Sequence, residues 1–114
     1  MATSLSDVEE WAGQPLPKLY RTLLPTLRDE VIGRQVLLYP IDYVIERNET
    51  FESKVYCPGY IAIGDDSGGS AILISLDDPE CKLFMVDHGS MDPADFRSLN
   101  TTLDLWLEAG CPIL

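Results

Sequence analysis

His88 is the chain's one histidine, and it stands between Asp87 and Ser90 at the end of the apolar run Leu83-Phe-Met-Val86. Serine, histidine and aspartate are the residue types of an acyl-transfer triad, but a triad is defined by the geometry that joins nucleophile, base and orienting carboxylate. Successive residues of a strand point to opposite faces, so Asp87 and His88 are not expected to meet, and a structural or exposed histidine is the favoured reading. A thiol nucleophile is no better supported: Cys57, Cys81 and Cys111 carry no local signature, and three cysteines without C-x-x-C spacing make neither a disulfide framework nor a zinc site. Asp65-Asp66 opens no calcium loop, which needs ligands at alternate positions and a distal glutamate. The glycines around it make no phosphate cradle, since the lysine and hydroxyl of a P-loop are missing and two carboxylates repel phosphate. No catalytic residue, metal or cofactor is assigned, and an enzyme is not expected.

These residues belong to two neighbouring stretches whose elements can be read in order. Tyr60–Ile63 and Ala71–Leu76 are apolar runs that read as strands, joined by the acidic, glycine-rich segment Gly64 to Ser70. Gly64, Gly68 and Gly69 suggest backbone positions with φ above zero. Asp77-Asp78-Pro79-Glu80 is a turn composition leading to a third strand, Lys82–Val86, and short connections imply an antiparallel meander. Upstream, Ser6 with Glu9 has capping-box spacing for a first helix that Gly13 ends. Pro17 suits the first position of a second helix with Leu19, Tyr20, Leu23 and Leu24 on one face, and Pro25 ends or kinks it. Val36 to Tyr39 reads as a strand, Ile41 to Arg47 as a short helix, Asn48-Glu49-Thr50 as loop and Phe51 to Tyr56 as an edge strand. Downstream, Asp92 and Pro93 predict a long final helix whose stripe is Phe96, Leu99, Leu103, Trp106 and Leu107, stopped by Gly110 and Pro112. Trp11, Tyr20, Phe84, Phe96 and Trp106 are read as core. The order describes one α+β domain over residues 1–114: N-terminal helices, an antiparallel meander sheet and a C-terminal helix packed on it.

Charge narrows the partners. Nineteen acidic residues oppose eight basic ones for a net charge of -11 in 114 residues. The excess is concentrated in residues 60–114, where only Lys82 and Arg97 are basic. Such a field repels nucleic acid and anionic membrane and draws in basic partners. No apolar run approaches the roughly 20 residues that span a bilayer. The opening Met-Ala-Thr-Ser-Leu-Ser-Asp lacks the basic and apolar regions of a secretory signal, so a cytoplasmic setting with free thiols is expected.

The motif order is itself informative: Leu16-Pro17 with Tyr20 and Leu23-Leu24, then Tyr60-Ile-Ala-Ile-Gly-Asp-Asp-Ser-Gly-Gly69, then Val86-Asp87-His88 and Asp95-Phe96 with Leu99 and Leu103. From about Val8 to Trp106 this resembles the SUKH superfamily, shared by a fungal cell-wall assembly regulator and bacterial immunity proteins. The chain departs from the common pattern at Ser70, where relatives often carry Asp, and at Pro25-Thr-Leu-Arg-Asp, where they often carry Asn-Gly-Gly. The resemblance implies an immunity protein that binds and neutralises a cognate toxin, often a nuclease, with a regulatory or scaffold domain as the alternative. Nucleases bind a polyanion and tend to be basic, so an acidic inhibitor steers toward them. The candidate partner surface is Asp65, Asp66, Asp77, Asp78 and Glu80, extended by Asp87 and His88, with Gly64, Gly68 and Gly69 as its structural loop. Oligomeric state is not legible.

Overall fold

The two densest Ile and Leu runs form the centre of the molecule, a hairpin of β3 (Tyr60–Asp65) and β4 (Ser70–Ser75). The pairing runs from Tyr60↔Ser75 to Asp65↔Ala71 and is interrupted by a bulge between Ala62 and Gly64. Every residue from Ile61 to Asp65 and from Ala71 to Ile74 is buried. Because consecutive side chains point to opposite faces, both faces of these strands are covered. The computed structural model describes residues 3–28, 31–32 and 35–112. In it β1 (Val31–Ile32), β2 (Val36–Leu38), β3, β4, β5 (Lys82–Asp87) and β6 (Arg97–Thr102) make one antiparallel sheet in chain order. With helices ahead of the strands, between the second and third, and after the last, the fold is the α+β antiparallel meander expected.

Helix α1 (Leu5–Ala12) is capped two residues earlier than the sequence suggests. The Asp7 amide donates to Ser4 Oγ at 3.1 Å and the Ser4 amide donates back to Asp7 at 2.9 Å, a complete capping box. Glu9 is engaged elsewhere: its carboxylate accepts the Leu16 amide at 2.8 Å and pairs with Arg21 at 3.3 Å, fixing the loop into α2 (Lys18–Leu23). Gly13 ends α1 in the left-handed region, as read. Pro17 is the cap of α2 rather than its first residue, and Pro25 converts the helix end to a 3-10 turn over Leu24–Thr26.

Two expectations are overturned. Helix α3 (Ile41–Phe51) continues through Asn48-Glu49-Thr50, and the edge strand expected over Phe51 to Tyr56 is instead a short helix, α4 (Ser53–Tyr56), set off by Glu52 in the left-handed conformation. The cause is Asn48, a poor helix former held by tertiary bonds. β2 stops before Pro40, leaving Ala62 of β3 without a strand neighbour on that side, and the buried Asn48 amide takes its place. The Ala62 amide donates to Asn48 Oδ1 at 2.8 Å, and Asn48 Nδ2 donates to the Ala62 carbonyl at 2.8 Å. The remaining donor goes to the Val44 carbonyl and the remaining acceptor takes the Ser53 hydroxyl, so the amide is saturated.

The final helix is also shorter than expected. Asp92 caps a single 3-10 turn, Pro93–Asp95, after which Phe96 is extended and β6 pairs with β5. Ser98, Asn100, Thr101 and Thr102 are weak helix formers, and β5 offers that segment a ladder of backbone bonds. Asn100 adopts a φ of 56° within an irregular stretch of the pairing. Only α5 (Leu103–Glu108) is α-helical, burying Leu103 and Trp106 in the core. Tyr20 and Trp106 are core as read, whereas Trp11, Phe84 and Phe96 are half-buried. Helices α3 and α4 pack on β3, and α2 meets α5.

Candidate functional site

The carboxylates singled out from the sequence fall into two groups at opposite ends of β4. One group holds Asp65, Asp66, Asp87 and His88, together with Gln35 before β2. The other holds Asp77, Asp78 and Glu80. Strand β4, six residues long and so about 17 Å from its first Cα to its last at roughly 3.4 Å per step, lies between them.

At the first end, each carboxylate is used to build the loop. Asp66 Oδ1 accepts the Gly68 and Ser70 amides at 2.8 and 3.0 Å, while its own amide donates to the Ser70 carbonyl. Asp87 accepts the Gly89 amide at 2.7 Å. The His88 amide donates to the Gly69 carbonyl at 2.9 Å, tying the end of β5 to the loop. Ser67 donates its hydroxyl to the Gln35 carbonyl. The expectation of three glycines with positive φ holds only at Gly69, where φ is 105°; Ser67, at 61°, is the other left-handed residue of the loop. Gly64 is required for a different reason: a Cβ there would collide with the Leu37 carbonyl oxygen of β2, which pairs alongside. Gly68 faces no such constraint.

Asp65 stands apart. It is nine-tenths buried, accepting the Tyr39 hydroxyl at 2.8 Å and the Ser67 amide at 2.9 Å. Burial, then the hydrogen bond to Asp65 and its charge, push the Tyr39 phenol above its ordinary range. From Tyr39 the contacts run on through aromatic rings. The Arg47 guanidinium lies 5.7 Å from the Tyr39 ring centre and 5.0 Å from that of Phe51. Phe51 stacks on the His88 ring at 4.3 Å. His88 Nε2 is buried and has no hydrogen-bond partner among the described residues. His88 therefore packs as an aromatic plate. Ser90 donates to Asp95, so neither it nor the Asp87 carboxylate is arranged as a relay with His88. Beside this chain of contacts opens a cavity of about 390 Å³ lined by Leu37, Tyr39, Tyr43, Glu46, Arg47 and Asp65.

The second end is a turn in solvent. Asp78 accepts the Glu80 and Lys82 amides at 3.0 and 2.9 Å, and Asp77 accepts the Gln14 side chain at 2.8 Å. Glu80 pairs with Lys82 at 3.4 Å, both largely exposed. All three cysteines are buried and free. Burial pushes the Cys57 thiol up to about 11 and also raises Cys81 and Cys111, so none is a ready nucleophile.

Sequence reasoning missed Tyr39, Tyr43, Glu46, Arg47 and Phe51. The signal lies in the spacing, since Tyr43, Arg47 and Phe51 repeat every four residues, but Asn48-Glu49-Thr50 reads as loop and masks it. The chain matches the model of the SMI1 / KNR4 family (SUKH-1) over residues 2–109. It belongs to the SUKH-1 family. Among curated proteins, none shows significant similarity to it. The SUKH-1 assignment covers both ends of the sheet and the cavity beside α3. Among the described residues no helix is long and apolar enough to cross a membrane, and no three metal-binding side chains lie together.

Proposed function

We propose that this SUKH-1 chain is an immunity protein that neutralises a cognate toxin, of the nuclease kind, by binding it rather than by acting on it chemically in the cytoplasm. The observation that carries the reading is acidity in a prearranged form. Asp66, Asp78 and Asp87 each accept backbone amides of their own turns, so charge stands at both ends of the sheet with little left to order on binding. Fixed charge of this sign speeds encounter with a basic surface and competes with a polyanion for it. Family membership supports a protein partner.

Co-expression with a toxin sought in the reading frames beside the gene tests this directly. Protection of the cell, co-purification, and an association rate that falls steeply with added salt are expected. Unprotected cells, or association indifferent to salt, would sink it. A regulatory or scaffold domain is the second reading, favoured by the SMI1 / KNR4 designation of the family. Stable co-purification with a housekeeping enzyme, without a neighbouring toxin frame, would select it.

A further inference from the structure

We propose that the cavity between α3 and the end of β3 is a socket for an arginine side chain of the partner protein, with Asp65 at its floor, Glu46 at its rim and the rings of Tyr39 and Tyr43 as its walls. The proposal rests on the reading of the protein as a binding domain and supplies it with an anchor.

Asp65 is the first reason. A carboxylate nine-tenths removed from water is costly unless a cation compensates it. The ion pairs among the described residues are Arg21 with Glu9 and Lys82 with Glu80, so no described cation touches Asp65, which is held by two hydrogen-bond donors while Arg47 of the same lining lies over the Tyr39 ring. Its open side borders the cavity of about 390 Å³, large enough for a guanidinium and its stem. The second reason is the balance of charge in the lining, where Asp65 and Glu46 outnumber Arg47 and leave one negative charge unmatched. The third is shape. Tyr43 is 41% exposed beside the buried Tyr39. A planar guanidinium stacks on such rings, whereas an ammonium is a compact, strongly hydrated point charge. Arg47, already over the Tyr39 and Phe51 rings, shows that this surface accepts a flat cation. Tyr and Arg contacts of this kind dominate binding energy where they are enclosed.

The test uses the whole chain at about physiological salt, where loose attraction to the net charge is screened. N-acetyl-arginine amide is titrated in and backbone amide shifts are followed by NMR, with N-acetyl-citrulline amide as the uncharged isostere. Saturable shifts centred on Tyr39, Tyr43, Glu46, Arg47 and Asp65 are expected, with citrulline at least about tenfold weaker, or roughly 1.4 kcal/mol. Glu46→Lys, on an exposed helix position, and Asp65→Asn, which keeps an acceptor for Tyr39, should each weaken binding about tenfold or more, while Glu108→Gln, on exposed α5, should leave it unchanged. Equal binding of citrulline, shifts that follow Asp77 to Glu80 instead, or no saturable response at the cavity would each overturn the proposal. Toxin binding unaffected by Glu46→Lys would overturn the partner's use of the socket. A chain that binds the arginine probe but protects no cell refutes the immunity reading and leaves the socket standing.

Discussion

The two ends of the sheet carry similar residues and use them differently. At the β4–β5 turn, Asp77, Asp78 and Glu80 shape a loop that water would otherwise solvate. At the β3–β4 loop, Asp66 and Asp87 do the same, but Asp65 reaches inward and joins the loop to Tyr39, and through it to Arg47, Phe51 and His88. Aspartate in a turn is thus two things: an exposed cap, or the polar end of a buried network. The distinction depends on how closely the neighbouring strand approaches, and at this end β2 crosses within contact of Gly64.

The largest break of the comparison should come from that crossing. Gly64→Ala forces β2 away and should cost about 3 kcal/mol in urea unfolding, whereas Gly68→Ala should stay within about 0.5 kcal/mol. Equal losses would mean that β2 yields freely. Next, Asp65→Ala leaves the Tyr39 hydroxyl buried without an acceptor and should cost about 2 kcal/mol. Asp78→Ala should cost about 1 kcal/mol or less, since water can reach the amides it releases. A reversed order would erase the difference between the ends.

Alkaline titration sharpens the contrast. Burial raises Cys57 and Cys81, near the β4–β5 end, above their ordinary 9.0, and raises Tyr39, at the other end, above its ordinary 10.0. The native state then holds protons that the unfolded chain releases, so stability is whole below about pH 8.5 and falls as pH rises. The fall should have two stages, thiols first and tyrosine later, with the wholly buried Tyr20 adding to the second. Cys57→Ala with Cys81→Ala should shrink the first stage to what Cys111 contributes, and Tyr39→Phe should shrink the second to what Tyr20 contributes, read from urea midpoints between pH 8 and 11. The smallest effect belongs to Glu80→Gln, which breaks an exposed ion pair and should change stability by under about 0.5 kcal/mol.

Strong local patterns made much of the fold legible. The three central strands lie within two residues of where their apolar runs place them, and Gly13 and Pro25 end helices as their backbone limits require. The misreadings occur where a distant partner outweighs local preference. Asn48 reads as a loop residue until Ala62 is set beside it. Arg97–Thr102 carries a helical stripe through Leu99 and Leu103, yet β5 draws the segment into the sheet. For the candidate site, the aspartates were legible as loop residues on either side of one strand, but the inward turn of Asp65 was not, because it depends on Tyr39 of the segment after β2. The Tyr39–Arg47–Phe51–His88 stack is hidden in the sequence because Asn48 reads as the end of α3, which runs on to Phe51.

Asn48 also bears on whether the molecule stays alone. A strand rich in isoleucine with unpaired amides and carbonyls invites other chains to add to it and aggregate. Pro40 turns β2 away and would leave Ala62 in that condition, but the side-chain amide occupies both backbone groups. A newcomer would have to displace a saturated amide to pair there. The apolar hairpin at the centre of this protein is thus protected from its own kind by one residue on a neighbouring helix.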